Sequence, residues 1–139
     1  MKHAETWLVL LLRLSAVVLR LALVAVFLPF SCMAEINNAI GFEPLVETPL
    51  INYLTRSLSA FYAFVGLLTW ILSMDIRRYR PLIVFLSVSY LVSGAALLIL
   101  DFTVGMPLAW AVLEGPVVMG TGALQLWLVK HIAPVQLST

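Results

Sequence analysis

The chain has 139 residues, 63% hydrophobic and only 11% charged, with a formal net charge of +1 and a mean hydropathy of +1.07. A soluble domain carries about 25% charged residues, so this composition belongs to the membrane class, and so small a net charge gives no reason to expect a nucleic-acid partner. The lone cysteine, Cys32, excludes an internal disulfide, a CxxC redox centre and a cysteine-rich zinc site, while His3 and His131 flank the apolar segments and argue against bis-histidine haem ligation.

The first apolar stretch covers about 7–29 and predicts a membrane-crossing helix, which needs about 20 mostly apolar residues. Inside it, "LLRLSAVVLR" places Arg13 and Arg20 seven residues apart, on nearly one helical face. A signal peptide is the competing reading, with "SCMA" (31–34) as its cleavage region. The run is too long for that, it is interrupted by arginine, and Pro29 stands where a lipobox has leucine, so the segment is expected to be retained.

A polar and acidic connector follows, about 30–56, with Pro44 and Pro49. Within it "MAEINNAIG" reads as a short interfacial helix ended by Gly41, and the apolar residues beyond suit the membrane surface. The second crossing covers about 57–75, with Arg56 at its head. The basic turn "DIRRYRP" leads to the third crossing, about 82–103, and "VGMP" leads to the fourth, about 108–129, with proline at the helix start. The expected architecture is one all-α domain over 1–139: an integral membrane four-helix bundle with one longer extracytoplasmic loop.

Charge sets its direction. Lys2, Arg77, Arg78, Arg80 and Lys130 fall on one side of an even number of crossings, and Glu35, Glu43 and Glu47 on the other. The positive-inside rule therefore places both termini in the cytoplasm of a multi-pass cell-membrane protein.

The intramembrane charges are the candidate functional residues, because each costs roughly 2.5–3.5 kcal/mol at the bilayer centre. Depth matching groups Arg20, Arg56, Asp101 and Glu114 in the outer half as an ion-pair or ligand cluster, with Arg20 held by Glu114. Arg13 lies in the inner half beside Gln125 and Ser73. In "EGPVVMGTG", Gly115 and Pro116 mark a helix break, since proline leaves the Val112 carbonyl without its donor. Small and polar stripes run along the other helices, including Ser87, Tyr90, Gly94 and Asp101.

With "RSLSAFYAFVGLLTWILSMDIRRYRPLI" followed by "VSGAALLILD", the chain resembles small bacterial membrane proteins of the DoxX-like four-helix superfamily over about 50–130. The resemblance implies a compact bundle in a bacterial inner membrane, and some members of the group are linked to quinone or thiol redox systems. It transfers no catalytic motif, and a lone cysteine does not suit a thiol role.

No Walker loop, HExxH motif, nucleophile elbow or metal-ligand cluster occurs in the sequence, so no enzymatic activity, catalytic residue or cofactor is expected. The first functional reading is an accessory or scaffold subunit of a larger membrane complex. The second is a binder of an apolar or amphipathic ligand, a quinone or a lipid, in the outer half. The third is an oligomeric transporter or proton-conducting unit. The lipid bilayer and a homo-oligomer or larger complex are the expected partners.

Overall fold

The computed structural model describes residues 2–132. Among them there are five helices and no strand: α1 (Lys2–Phe27), α2 (Phe30–Ile40), α3 (Pro49–Leu72), α4 (Arg80–Val104) and α5 (Leu108–Lys130). All but α2 are long and apolar enough to cross a membrane.

The largest departure from the sequence expectation is in the connector. It does not run to residue 56 but folds at both ends, leaving only 41–48 outside helices. Its first part is α2, the expected short helix ended by Gly41, which starts after Pro29 rather than at Met33. Gly41 adopts φ 91°, a left-handed conformation that a β-carbon would strain. The Gly41 amide donates to the Asn38 carbonyl at 3.1 Å and the Phe42 amide to the Asn37 carbonyl at 3.2 Å, a Schellman termination. Its second part is the start of α3, which begins at Pro49 rather than 57. Proline is pre-set for the first helical position, and the Thr48 hydroxyl accepts from the Ile51 amide at 3.2 Å as an N-cap.

The other breaks follow local chemistry. In the basic turn, Asp75 Oδ1 accepts from the Arg78 amide at 3.0 Å, and Pro81 lies in the first turn of α4. Gly105, at φ 81°, ends α4, with the amides of Gly105 and Met106 both donating to the Asp101 carbonyl. Pro107 then precedes α5.

The chain divides into two compact units. One comprises the described residues 2–12 and 72–132. Its core is Leu8, Leu12, Leu72, Ile76, Ile83, Leu128, Val129 and Ile132. Within it α4 and α5 pack at backbone distance: a β-carbon on Gly94 would stand 2.8 Å from the Gly115 carbonyl oxygen, and one on Gly115 would stand 2.8 Å from Leu98 Cβ. Ser87, Gly94 and Asp101, seven apart, form the buried stripe of α4 with Ile83. Facing them on α5 are Ala111, Gly115, Gly122 and Gln125. Small residues allow this approach, which is how helices associate where lipid removes the hydrophobic drive.

The second unit, Arg13–Ile71, pairs the remainder of α1 with α3. Gly66 is its contact point, since a β-carbon there would meet the Ala16 carbonyl oxygen, Leu19 Cβ and Arg20 Cγ, each at 2.9 Å. Ala16, Ser59, Ala63 and Thr69 are buried beside it.

Candidate functional site

Gly66 explains how Arg20 is accommodated. Without a side chain at 66, the aliphatic stem of Arg20 lies flat on α3. Helical side chains lean toward the N-terminus of their helix, so the stem carries the guanidinium toward Trp70, one turn further along α3. Arg20 Cζ stands 4.5 Å from the centre of the Trp70 ring, and Arg13 Cζ stands 5.6 Å from the same ring. Two cations therefore converge on one aromatic side chain. A cation over tryptophan gains about 0.5–2 kcal/mol, more when desolvated, which offsets part of the cost of placing it among apolar neighbours. Arg20 is half-buried and Arg13 exposed. Neither has a carboxylate within ion-pair distance among the described residues, where Arg77 and Glu5 form an ion pair at 2.8 Å.

Arg56, expected at the mouth of a charge cluster, has a different task. It lies within α3, not at its head. Its Nε donates to Asn52 Oδ1 at 2.6 Å, Nη2 donates to the Leu28 carbonyl at 3.0 Å, and Nη1 donates to the Val26 carbonyl. The last four carbonyls of a helix have no partner within it. Arg56 supplies donors to carbonyls at the end of α1, where a cation also complements the helix dipole.

Asp101 and Glu114 belong to the other unit. Trp110 Nε1 donates to Glu114 Oε2 one turn away on α5, and Glu114 is half-buried. Asp101 is 4% exposed, and its Oδ2 atom is buried with no hydrogen-bond partner among the described residues. Arg20 and Glu114, expected to pair, belong to different units.

Gln125 is fully buried. Ser87 Oγ donates to the Ile83 carbonyl at 2.7 Å and lies 3.1 Å from Gln125 Oε1, so one hydroxyl proton serves two acceptors. The Gln125 Nε2 atom is buried with no acceptor among the described residues. Ser73 is buried as well. Gly115 and Pro116 do not interrupt α5, which runs through them as one helix. Pro116 is exposed, and Gly115 is the point at which α5 meets Leu98 and Gly94. The glycine is there for close approach, and the helix absorbs the proline at its surface.

The described residues define an all-helical fold with four helices long and apolar enough to cross a bilayer and arginines set within the first of them. No family model matches the chain, and no curated protein or solved structure matches it.

Proposed function

We propose that this chain is an accessory or scaffold subunit of a larger membrane complex, with both termini cytoplasmic and the α2-bearing connector outside. The observation that carries the reading is Arg13. It lies exposed on α1, the least buried of the four helices suited to crossing a membrane. Lipid tails cover leucine and valine well but offer a guanidinium no acceptor. Trp70 offsets only part of the cost, and no carboxylate among the described residues pairs with Arg13. Intramembrane charges of this kind face a protein partner or a polar cavity. Native mass spectrometry after gentle extraction tests the reading. It expects this chain in fixed stoichiometry with other membrane proteins, and the chain emerging only as itself would overturn it.

A second reading, a binder of a quinone or lipid, is favoured by Asp101. A buried carboxylate oxygen with no donor among the described residues suits a hydroxyl or other donor on an amphipathic ligand entering beside α4 and α5. The same spectra distinguish it, because a retained small-molecule mass would accompany the chain.

A further inference from the structure

The exposed face of α1 has a pattern that lipid contact does not require. Leu10, Leu14, Val17, Leu21 and Val24 are spaced alternately by four and three residues, and all are between 43% and 63% exposed. This is the a/d spacing of a coiled-coil seam, with Leu14 and Leu21 at a and Leu10, Val17 and Val24 at d. In that register Arg13 and Arg20 both fall at g, the position whose charges select a partner helix. Both guanidiniums lie toward Trp70 of α3, at the edge of the seam.

We propose that this seam docks a transmembrane helix of another protein, one carrying aspartate or glutamate at the position facing Arg13. The proposal rests on the accessory-subunit reading and names the chemistry of the partner. Charge argues against a second copy of this chain as the occupant. In a parallel pair the g residues face e residues, and the e positions of α1 are Leu11, Val18 and Ala25. In an antiparallel pair g faces g, which sets arginine against arginine. Depth argues the same way. The apolar run of α1 spans 7–27, and each arginine lies about one turn, roughly 5 Å, from its centre. Successive crossings alternate in direction, which places Glu114 and Asp101 in the outer half, while the carboxylates at the inner boundary are engaged, Glu5 with Arg77 and Asp75 with the Arg78 amide. A separate helix with one acid on its seam edge neutralises Arg13 and covers the apolar residues in a single contact.

The test uses the full-length protein in liposomes, labelled with a donor dye at its single cysteine, Cys32. The probes are leucine-rich 22-residue transmembrane peptides carrying an acceptor dye, with aspartate, asparagine or leucine at the position facing Arg13. Energy transfer should show the aspartate peptide associating at least tenfold more tightly than the leucine peptide, with asparagine between them. Arg13→Gln should abolish the preference and Arg13→Lys should keep most of it. Val17→Asp, which supplies a carboxylate in cis one turn from Arg13, should abolish it with the arginine still present, and so covers the case in which Arg13→Gln does not fold. Equal association of all three peptides, or a preference that survives Val17→Asp, would overturn the proposal. So would transfer between two labelled copies of this chain that the aspartate peptide fails to displace. If peptide selectivity is absent while a stoichiometric native complex persists, the seam is wrong and the accessory reading stands. If selectivity is present and no complex exists, the reverse holds.

Discussion

Gly122 of α5 meets Ser87 of α4 at backbone distance: a β-carbon on Gly122 would stand 2.6 Å from the Ser87 carbonyl oxygen, and 3.1 Å from the Leu91 amide nitrogen. Neither backbone atom can yield without separating the helices. Gly122→Ala should therefore lower stability by about 1–3 kcal/mol, the usual cost of overpacking. Gly94→Ala should behave alike, since its β-carbon would also meet backbone, at 2.8 Å from the Gly115 carbonyl oxygen. Gly120 is the control. Nothing lies within 4 Å of a β-carbon there, so Gly120→Ala should be neutral or stabilising by up to about 1 kcal/mol through helix propensity. Thermal unfolding in detergent separates the three, and equal effects would contradict the close packing.

Arg56 secures the end of α1 by donating to Val26, Leu28 and Asn52. Lysine keeps the charge but has no planar fork to reach three acceptors at once. Arg56→Lys should therefore lose much of the stabilisation, and Arg56→Gln more, by roughly 1–3 kcal/mol in total. Hydrogen exchange should locate the loss, with faster exchange through the last turn of α1 while α4 and α5 stay protected. Uniform acceleration along the chain would mean that Arg56 supports the fold generally and not this helix end.

How far the sequence could be read depends on which property each feature rests on. The four long helices were legible because an apolar run of about 20 residues has few other uses. Gly41 was legible as a helix end for the same local reason that the structure shows, its positive φ. The start of α3 was misplaced because Asn52, Thr55 and Arg56 lower the hydropathy of its first turns, although Thr48 before Pro49 is a capping signal that local reading could have found. Gly115 drew attention with Pro116 as a break in α5, whereas the helix is continuous there and the glycine meets Leu98 and Gly94 of α4, contacts that are invisible in one dimension. The arginines were hardest. Matching by depth pairs charges with carboxylates or polar side chains, and gives no sign of the contacts seen within Arg13–Ile71, the face of Trp70 and the carbonyls of Val26 and Leu28.

The proposed orientation predicts a labelling pattern. With Cys32 replaced by alanine, a cysteine introduced at Asn38, exposed on α2, should react with a membrane-impermeant reagent added outside intact cells. One at Arg78, exposed in the basic turn, should react only after permeabilisation. The opposite pattern would invert the topology and move the proposed docking partner of Arg13 to the other half of the membrane.

The contact of Arg20 with Trp70 makes the most specific energetic prediction. The stem of Arg20 packs on Gly66 while its guanidinium stands over the ring at 4.5 Å, so charge and packing can be separated. Arg20→Met retains a stem of similar length and removes the cation, and Trp70→Leu removes the π-face while keeping an apolar side chain. A double-mutant cycle of these two changes should give a coupling energy of about 0.5–2 kcal/mol. Trp70→Phe should retain part of the coupling, because a phenyl face attracts a cation less strongly than indole. Arg13 stands further from the ring, at 5.6 Å, so Arg13→Met should couple to Trp70→Leu more weakly than Arg20→Met does. The cycle is measured by reversible unfolding in mixed micelles. Zero coupling for both arginines would mean that Trp70 only fills space beside α1. Stronger coupling for Arg13 than for Arg20 would mean that the inner arginine, not the outer, is the one the ring holds in place.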